Sequence, residues 1–185
     1  VYGKNATLCT EETPTNPLST YGKHKLTVET ALMQRERSIS LRLATVFGMS
    51  PRMRLDLLVN DFTWRALKDR AFVVFEGRAR RTVVHVTDVA EAFLQVIGSD
   101  EAFQENGGCY SVSAGIYNVG SVTLSKLSLC EEIQKQVPGF HWVEAQYGTD
   151  PDARDYVVSD AKIRATGYQP MVGLGEGIAE LLKGY

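Results

Sequence analysis

The sequence predicts an α/β fold, with a parallel sheet covered by helices and a smaller C-terminal α/β lobe. The first observation is that short apolar segments alternate with longer segments whose apolar residues recur at helical spacing. The second is that residues 39–46 have the length and apolar character of a strand buried on both faces. The third is composition. With 44% hydrophobic and 23% charged residues over 185 positions, the chain has ordinary globular values, which exclude disorder and a coiled coil.

The elements of the first half follow from local signals. Asn16 is the predicted N-cap of a long helix and Pro17 its first residue, because that turn needs a side-chain acceptor and tolerates a residue without an N–H. This helix is predicted to end near Arg37. A strand over 39–46 comes next, and apolar residues at helical spacing then predict a helix over 55–68.

The second half continues the alternation. Thr87 and Asp88 are predicted to cap a helix, and residues 98–115, rich in Gly, Ser, Asn and acids, are predicted to form a surface loop. Gly173 begins a glycine-rich stretch that we interpret as the turn into the last helix rather than a phosphate loop, since no strand follows it. The remaining predicted elements are strands over 72–75, 82–86, 116–119, 140–145 and 155–158, and helices over 124–136, 160–166 and 174–183.

Charge and motif counts exclude several function classes. Lys plus Arg at 20 against Asp plus Glu at 22 give a net charge of −2, so no basic field attracts nucleic acid or an anionic membrane. No apolar run approaches the length of a membrane span, and the start is neither Met nor a signal peptide. We therefore expect a truncated, cytoplasmic chain. Its cysteines and histidines predict neither a disulfide framework nor a metal site, because they show no CxxC or HExxH spacing.

Tyr21 and Lys25 form the sharpest candidate for chemistry. They are four residues apart near the start of the predicted long helix, which puts them on one face. A neighbouring ammonium and the positive end of a helix both favour the phenolate, so this tyrosine can act as a base near neutral pH. The alternative is a chance pair on a solvated helix surface.

Several motifs around this pair resemble the extended short-chain dehydrogenase/reductases, and more narrowly the nucleotide-sugar branch of the NAD-dependent epimerase/dehydratase family. The resemblance covers nearly the whole chain and implies a Rossmann-like doubly wound parallel sheet. Residues 1–48 and 79–120 would belong to that domain, and 49–78 and 121–185 to a substrate-binding lobe. The motifs, in family order, are Val1-Tyr2-Gly3, Thr13-Pro14-Thr15-Asn16-Pro17, Tyr21-Gly22-Lys23-His24-Lys25-Leu26 with Glu29, Leu41-Arg42-Leu43-Ala44-Thr45-Val46-Phe47-Gly48, Arg81-Thr82-Val83-Val84-His85-Val86-Thr87-Asp88-Val89-Ala90 and Tyr117-Asn118-Val119-Gly120.

The resemblance also implies roles. Tyr21 would be the acid/base toward a sugar hydroxyl, and Lys25 would hydrogen-bond the nicotinamide ribose of NAD or NADP. The implied substrate is a nucleoside-diphosphate sugar, and no metal is needed. Three further residues would contact the substrate: Arg81 and Arg154 at its phosphates, and Thr45 where many relatives carry Asn. Asn60 is a fourth candidate because it lies one turn along a helix that should line the substrate lobe, where it can reach a sugar or phosphate oxygen. The alternative for Asn60 is a solvated position at the edge of the core.

The family's Gly-rich dinucleotide-binding turn does not occur before Tyr21. We therefore expect this chain to be the C-terminal portion of an enzyme, inactive by itself and homodimeric when complete. Two alternatives stay open. One is a non-catalytic remnant that binds a sugar nucleotide, and the other is a reductase of a non-nucleotide substrate, in which Arg81 and Arg154 would have no purpose.

Overall fold

Strands and helices alternate along the chain in the computed structural model, which describes residues 1–3, 5, 7–98, 112–148 and 155–185. Among these residues, no helix has the length and apolarity needed to cross a membrane. The strands are β1 (Leu8–Cys9), β2 (Ile39–Leu43), β3 (Thr45–Phe47), β4 (Ala71–Val74), β5 (Arg80–His85), β6 (Gly115–Val119), β7 (Val122–Ser125), β8 (His141–Glu144) and β9 (Val157–Val158). The helices are α1 (Thr20–Leu32), α2 (Leu58–Lys68), α3 (Val86–Gly98), α4 (Lys126–Gln136), α5 (Ala161–Arg164) and α6 (Leu174–Gly184).

Parallel pairing dominates the sheets, as the alternation of elements predicted. Strand β2 pairs with β6, β3 with β5, β4 with β8 and β1 with β9, all in parallel. Only β7, which runs antiparallel along β5, departs from this pattern among the described strands. The α/β fold class is therefore confirmed.

The predicted single strand over 39–46 is two strands. The backbone N–H of Ala44 still donates to the carbonyl of Val119 at 2.8 Å, which ends the β2–β6 ladder. Beyond Ala44 the chain changes partner, because Thr45 lies opposite Val83 on β5. Apolar character persists through this switch, so the sequence pattern contains no sign of it.

Two hydrophobic clusters form most of the core. The larger one joins α2, α4 and α6 to the β4–β8 pair, with Phe140, Leu129 and Ile178 fully buried. The smaller one lies between the β2–β6 pair, α3 and α5, around Val119 and Ile163. The division of the chain at 48, 78 and 120 into two lobes stays a prediction.

The start of α1 differs from the prediction. Its N-cap is Ser19, whose Oγ accepts a hydrogen bond from the backbone N–H of Gly22 at 3.0 Å. Asn16 lies three residues earlier, exposed, with its backbone N–H bonded to the carbonyl of Val1 at 3.0 Å. The helix ends at Leu32, and Arg37 adopts a left-handed φ of 60° in the connection to β2. Pro17 therefore precedes the helix instead of opening it.

Asp88 is not a cap either, because α3 begins at Val86. Its buried carboxylate accepts hydrogen bonds from the backbone N–H groups of Met171 at 2.8 Å and Val172 at 3.3 Å. Asp88 thus holds the segment leading into α6, at whose start Gly173 is the N-cap residue, as the turn interpretation predicted. Most of the predicted loop over 98–115 lies outside the described residues.

Candidate functional site

A cleft opens at the carboxyl ends of β3 and β5, the edge at which parallel α/β sheets bind ligands. We call it the strand-end cleft; its volume is about 200 Å³. Gly48 lines it with a φ of +117°, and a side chain there would collide with the imidazole of His85. The cleft is lined by Val46, Phe47, Gly48, Ser50, Arg54, Leu57, Asn60 and Val86.

Asn60 organises the strand-end cleft from the first turns of α2. Its Oδ1 accepts from the backbone N–H of Gly48 at 3.1 Å, and its Nδ2 donates to the carbonyl of Arg54 at 3.1 Å. The residue is 2% exposed. These two bonds tie the Gly48 and Arg54 segments of the cleft to α2. Each end of the amide can still form one more hydrogen bond.

Tyr21 and Lys25 lie together on the first two turns of α1, as their spacing predicted. The Lys25 ammonium is 5.5 Å from the centroid of the Tyr21 ring. Both side chains are exposed, Tyr21 at 71%. Because both side chains are exposed, the phenol hydroxyl and the ammonium are accessible to a ligand.

Arg54 is a residue of this region that the sequence analysis missed. Its guanidinium forms a two-pronged pair with Asp56, with Nε–Oδ1 and Nη2–Oδ2 distances of 2.7 Å. Hydrogen bonding from Arg54 is the main reason that the pKa of Asp56 is lowered to about 2. The pKa of Arg54 is raised by the hydrogen bond and the charge of Asp56, with a smaller contribution from the charge of Tyr21.

The other predicted substrate residues lie along β3 and β5. Thr45 opens β3, directly before the cleft-lining Val46, and is half-buried. Thr45 pairs with Val83 of β5. Arg81 lies two residues before Val83 on β5 and is 3% exposed. Its guanidinium lies 5.7 Å from the centroid of the Tyr156 ring, and its Nη1 donates to the carbonyl of Arg80 at 3.3 Å. Arg154 lies outside the described residues.

The predicted residues fall into three places. Asn60 lines the strand-end cleft, and Tyr21 and Lys25 lie on the first two turns of α1. Arg81 instead forms an isolated parallel β-bridge with Tyr156, and its guanidinium lies over the Tyr156 ring. No spacing rule marks Arg54, because it stands in an irregular loop whose path is set by Asn60.

Comparison with known proteins gives the family. The model of the NAD dependent epimerase/dehydratase family matches residues 1–120. An uncharacterized UDP-glucose epimerase of Bacillus subtilis, YtcB, is 28% identical over 184 residues, covering 96% of this chain and 55% of that protein. This chain therefore spans about half the length of its curated relative.

Solved structures share the fold. The chain aligns over its full length with 56% of ADP-L-glycero-D-manno-heptose-6-epimerase from Helicobacter pylori, at 20% identity and a TM-score of 0.79. It aligns equally with 59% of UDP-glucuronic acid 4-epimerase from Bacillus cereus, solved with UDP-glucuronic acid and NAD, at 21% identity and a TM-score of 0.79. The family match over residues 1–120, which contains the Tyr21–Lys25 pair and the strand-end cleft, shows that this chain belongs to the NAD-dependent epimerase/dehydratase family.

Proposed function

We propose that this chain carries the acid/base half of an NAD(P)-dependent epimerase or dehydratase that acts on a nucleoside-diphosphate sugar. The observation that carries the proposal is the exposed Tyr21–Lys25 pair on the first two turns of α1, with its 5.5 Å ammonium-to-ring distance. The ligands named in the B. cereus structure, UDP-glucuronic acid and NAD, support this substrate and cofactor class.

Tyr21 takes the proton of a sugar hydroxyl in this proposal. Lys25 lies beside the Tyr21 ring, with its ammonium 5.5 Å from the ring centroid, so it can hold the sugar hydroxyl or the ribose against Tyr21. Bound NAD(P) supplies the hydride acceptor for the sugar carbon. When the proton is returned from Tyr21 Oη, the same residue acts as the acid, so one side chain serves both directions.

The residues fit one end of the cofactor. The exposed Tyr21 hydroxyl and Lys25 ammonium can both bond a ribose hydroxyl, which is the donor set that the nicotinamide end requires. Within the part of the chain that the structure describes, no Gly-rich turn joins a strand to a helix in the way that holds the pyrophosphate in such folds. Lys25 and Tyr21 therefore orient the reactive end only.

The substrate contacts are assigned along the cleft and β5. Asn60 and Thr45 would meet the sugar, Asn60 through the amide capacity that the Gly48 and Arg54 bonds leave. Arg81 and Arg154 would meet the diphosphate, because a guanidinium fork matches phosphate oxygens better than an ammonium does. We also propose that the complete enzyme is a homodimer.

The test replaces Tyr21 with Phe in the complete gene product and measures turnover of UDP-sugars. A general base contributes about 10² to 10⁴, so Tyr21→Phe should lower kcat by at least about 100-fold while sugar-nucleotide affinity changes only a few-fold. Lys25→Met should weaken both turnover and cofactor affinity. Tyr147→Phe is the matched control, since Tyr147 is 87% exposed and on the connection after β8.

Retained turnover in Tyr21→Phe would refute the catalytic role. Sugar-nucleotide binding without any turnover in the unmodified protein would favour the non-catalytic remnant. Turnover of a substrate without phosphate would favour the reductase.

A further inference from the structure

The most deeply buried side chain of helix α1 is charged, and the apolar Leu26 on the same face is only half-buried. Among the described residues, Glu29 is the one buried residue of the helix, at 7% exposure, while the apolar Val28 and Leu32 are exposed. A helix normally docks through a stripe of apolar side chains. The orientation of α1 therefore depends on what Glu29 binds.

Glu29 is held by two side chains of β2. Arg42 donates to both carboxylate oxygens, from Nε to Oε2 at 2.9 Å and from Nη2 to Oε1 at 2.6 Å. Ser40 Oγ donates to Oε2 at 3.0 Å. Burial by itself would raise the pKa of Glu29, but the hydrogen bond and charge of Arg42 outweigh it and leave that pKa lowered. The carboxylate is consequently ionised at neutral pH.

Arg42 extends the network to Tyr2 and to the neighbouring strand β6. Its Nη1 donates to the Tyr2 hydroxyl at 2.8 Å, and that hydroxyl donates to Oδ1 of the buried Asn118 on β6 at 2.6 Å. The Arg42 guanidinium also lies 5.1 Å from the Tyr2 ring centroid. The partner that holds α1 is thus itself fixed by two strands and the first residues of the chain.

Geometry connects this network to the candidate active site. Tyr21, Lys25 and Glu29 are spaced by four residues, so each is rotated by about 40° from the last, and Tyr21 lies about 12 Å along the axis from Glu29. A side chain reaches about 5–6 Å from a helix axis, so a 10° rotation of α1 moves its tip by about 1 Å. Displacements of that size cost about 100-fold in rate when a catalytic group is misplaced.

We propose that the Glu29–Arg42 pair is a positioning device that sets the rotation of α1 and thereby aims the Tyr21 hydroxyl and the Lys25 ammonium at the substrate. The inference rests on the proposed function of Tyr21. Neither Glu29 nor Arg42 touches the strand-end cleft, so they act through the helix and not on the substrate.

Arg42→Lys in the complete gene product keeps the charge but removes the two-pronged geometry. It should lower kcat about 10- to 100-fold and leave the KM for the sugar nucleotide within about 3-fold, because the substrate-binding residues are elsewhere. The limb of the pH–kcat profile that depends on Tyr21 should also shift. Amide hydrogen exchange should accelerate in α1 and stay unchanged in the β2–β6 pair.

Ser40→Ala is the milder variant for the case in which Arg42→Lys does not fold. It removes one hydrogen bond from Glu29 and leaves the ion pair, so a smaller fall in kcat in the same direction is expected. Arg65→Lys, which alters a partly exposed ion pair on α2, is the matched control and should change neither kcat nor the pH profile.

The outcomes separate the two proposals. Unchanged kcat and pH profile in Ser40→Ala and in folded Arg42→Lys, with Tyr21→Phe inactive, would overturn the positioning role and leave the function intact. If Tyr21→Phe retains turnover, both fail. A fall in stability with no change in kcat would also refute positioning, since it would make the pair merely structural.

Discussion

Arg80 and Arg81 are neighbours on β5 with opposite environments. Arg81 is 3% exposed and stacked near Tyr156, whereas the Arg80 side chain is 47% exposed with its Nε 3.5 Å from Asp155 Oδ1. Alternating side chains of a strand point to opposite faces, so only one of the two can face a given ligand. A one-residue error in matching the motif would therefore exchange a buried arginine for an exposed one.

We expect Arg81→Met to weaken binding of a nucleoside diphosphate by about 1.5–3 kcal/mol, because a charge-assisted contact is lost. Arg80→Met on the same strand should change affinity by less than about 0.5 kcal/mol, as an exposed arginine does. Titration calorimetry with UDP on the complete gene product measures both. Thermal melting must accompany it, since Arg81 is buried.

Equal affinities in the two variants and the unmodified protein would contradict the phosphate role of Arg81 and favour the reductase of a non-nucleotide substrate. A larger loss in Arg80→Met would move the phosphate contact by one residue.

Some site residues were within reach of sequence reasoning and others were not. Tyr21 and Lys25 share a helix, so a local spacing rule finds them. Glu29 and Arg42 are 13 residues apart on different elements, and only the packing of α1 on β2 brings them together. Arg54 stands in a loop held by Asn60, and no periodicity marks it. Long-range contacts of this kind leave no local pattern in the sequence.

Element boundaries show the same limit. Asn16 has a residue type that caps helices, but Ser19 has one too, and Ser19 is the N-cap in the structure. The backbone of Asn16 instead packs closely against Gly3. Asp88 also has the residue type of a cap, yet its carboxylate serves the backbone of 171–172. Propensity narrows the start of a helix to a few residues, and tertiary hydrogen bonds select among them.

The cap of α1 gives a prediction at the scale of the element. Ser19→Ala removes the acceptor for the Gly22 N–H, so it should lower the free energy of unfolding by about 1 kcal/mol. Asn16→Ala is the matched control. It should cost no more than a few tenths of a kcal/mol, because the Asn16 side chain is exposed and does not cap the helix. Chemical denaturation at neutral pH measures both.

A larger loss in Asn16→Ala than in Ser19→Ala would show that α1 begins at Pro17 after all. Because Tyr21 is the second residue of the helix, Ser19→Ala should also lower kcat in the complete gene product. The cap therefore links the stability of one turn to the candidate chemistry.

At the scale of the whole molecule, the described sheet has an open edge. Strand β2 pairs with β6 on one side, and within the described residues no strand lies along its other side. Leu43 on this strand is 40% exposed. Unpaired strand edges template association with other chains, and exposed apolar residues add to the tendency. This chain also spans only 55% of its curated relative.

We expect these 185 residues by themselves to self-associate and to retain no dinucleotide. Strand β5 ends at His85 and α3 begins at Val86, so this strand-to-helix junction has no Gly-rich turn that could bring backbone N–H groups against a pyrophosphate. Light scattering measures the association, and absorbance after gel filtration measures bound NAD(H). Leu43→Lys, which places a charge on the open edge, should reduce the association and leave dinucleotide binding unchanged.

A longer product that supplies a Gly-rich dinucleotide-binding half should be monodisperse and carry the cofactor. A monodisperse 185-residue chain with NAD(H) bound in equal amount would contradict both expectations, because it would place the phosphate cradle within the residues present.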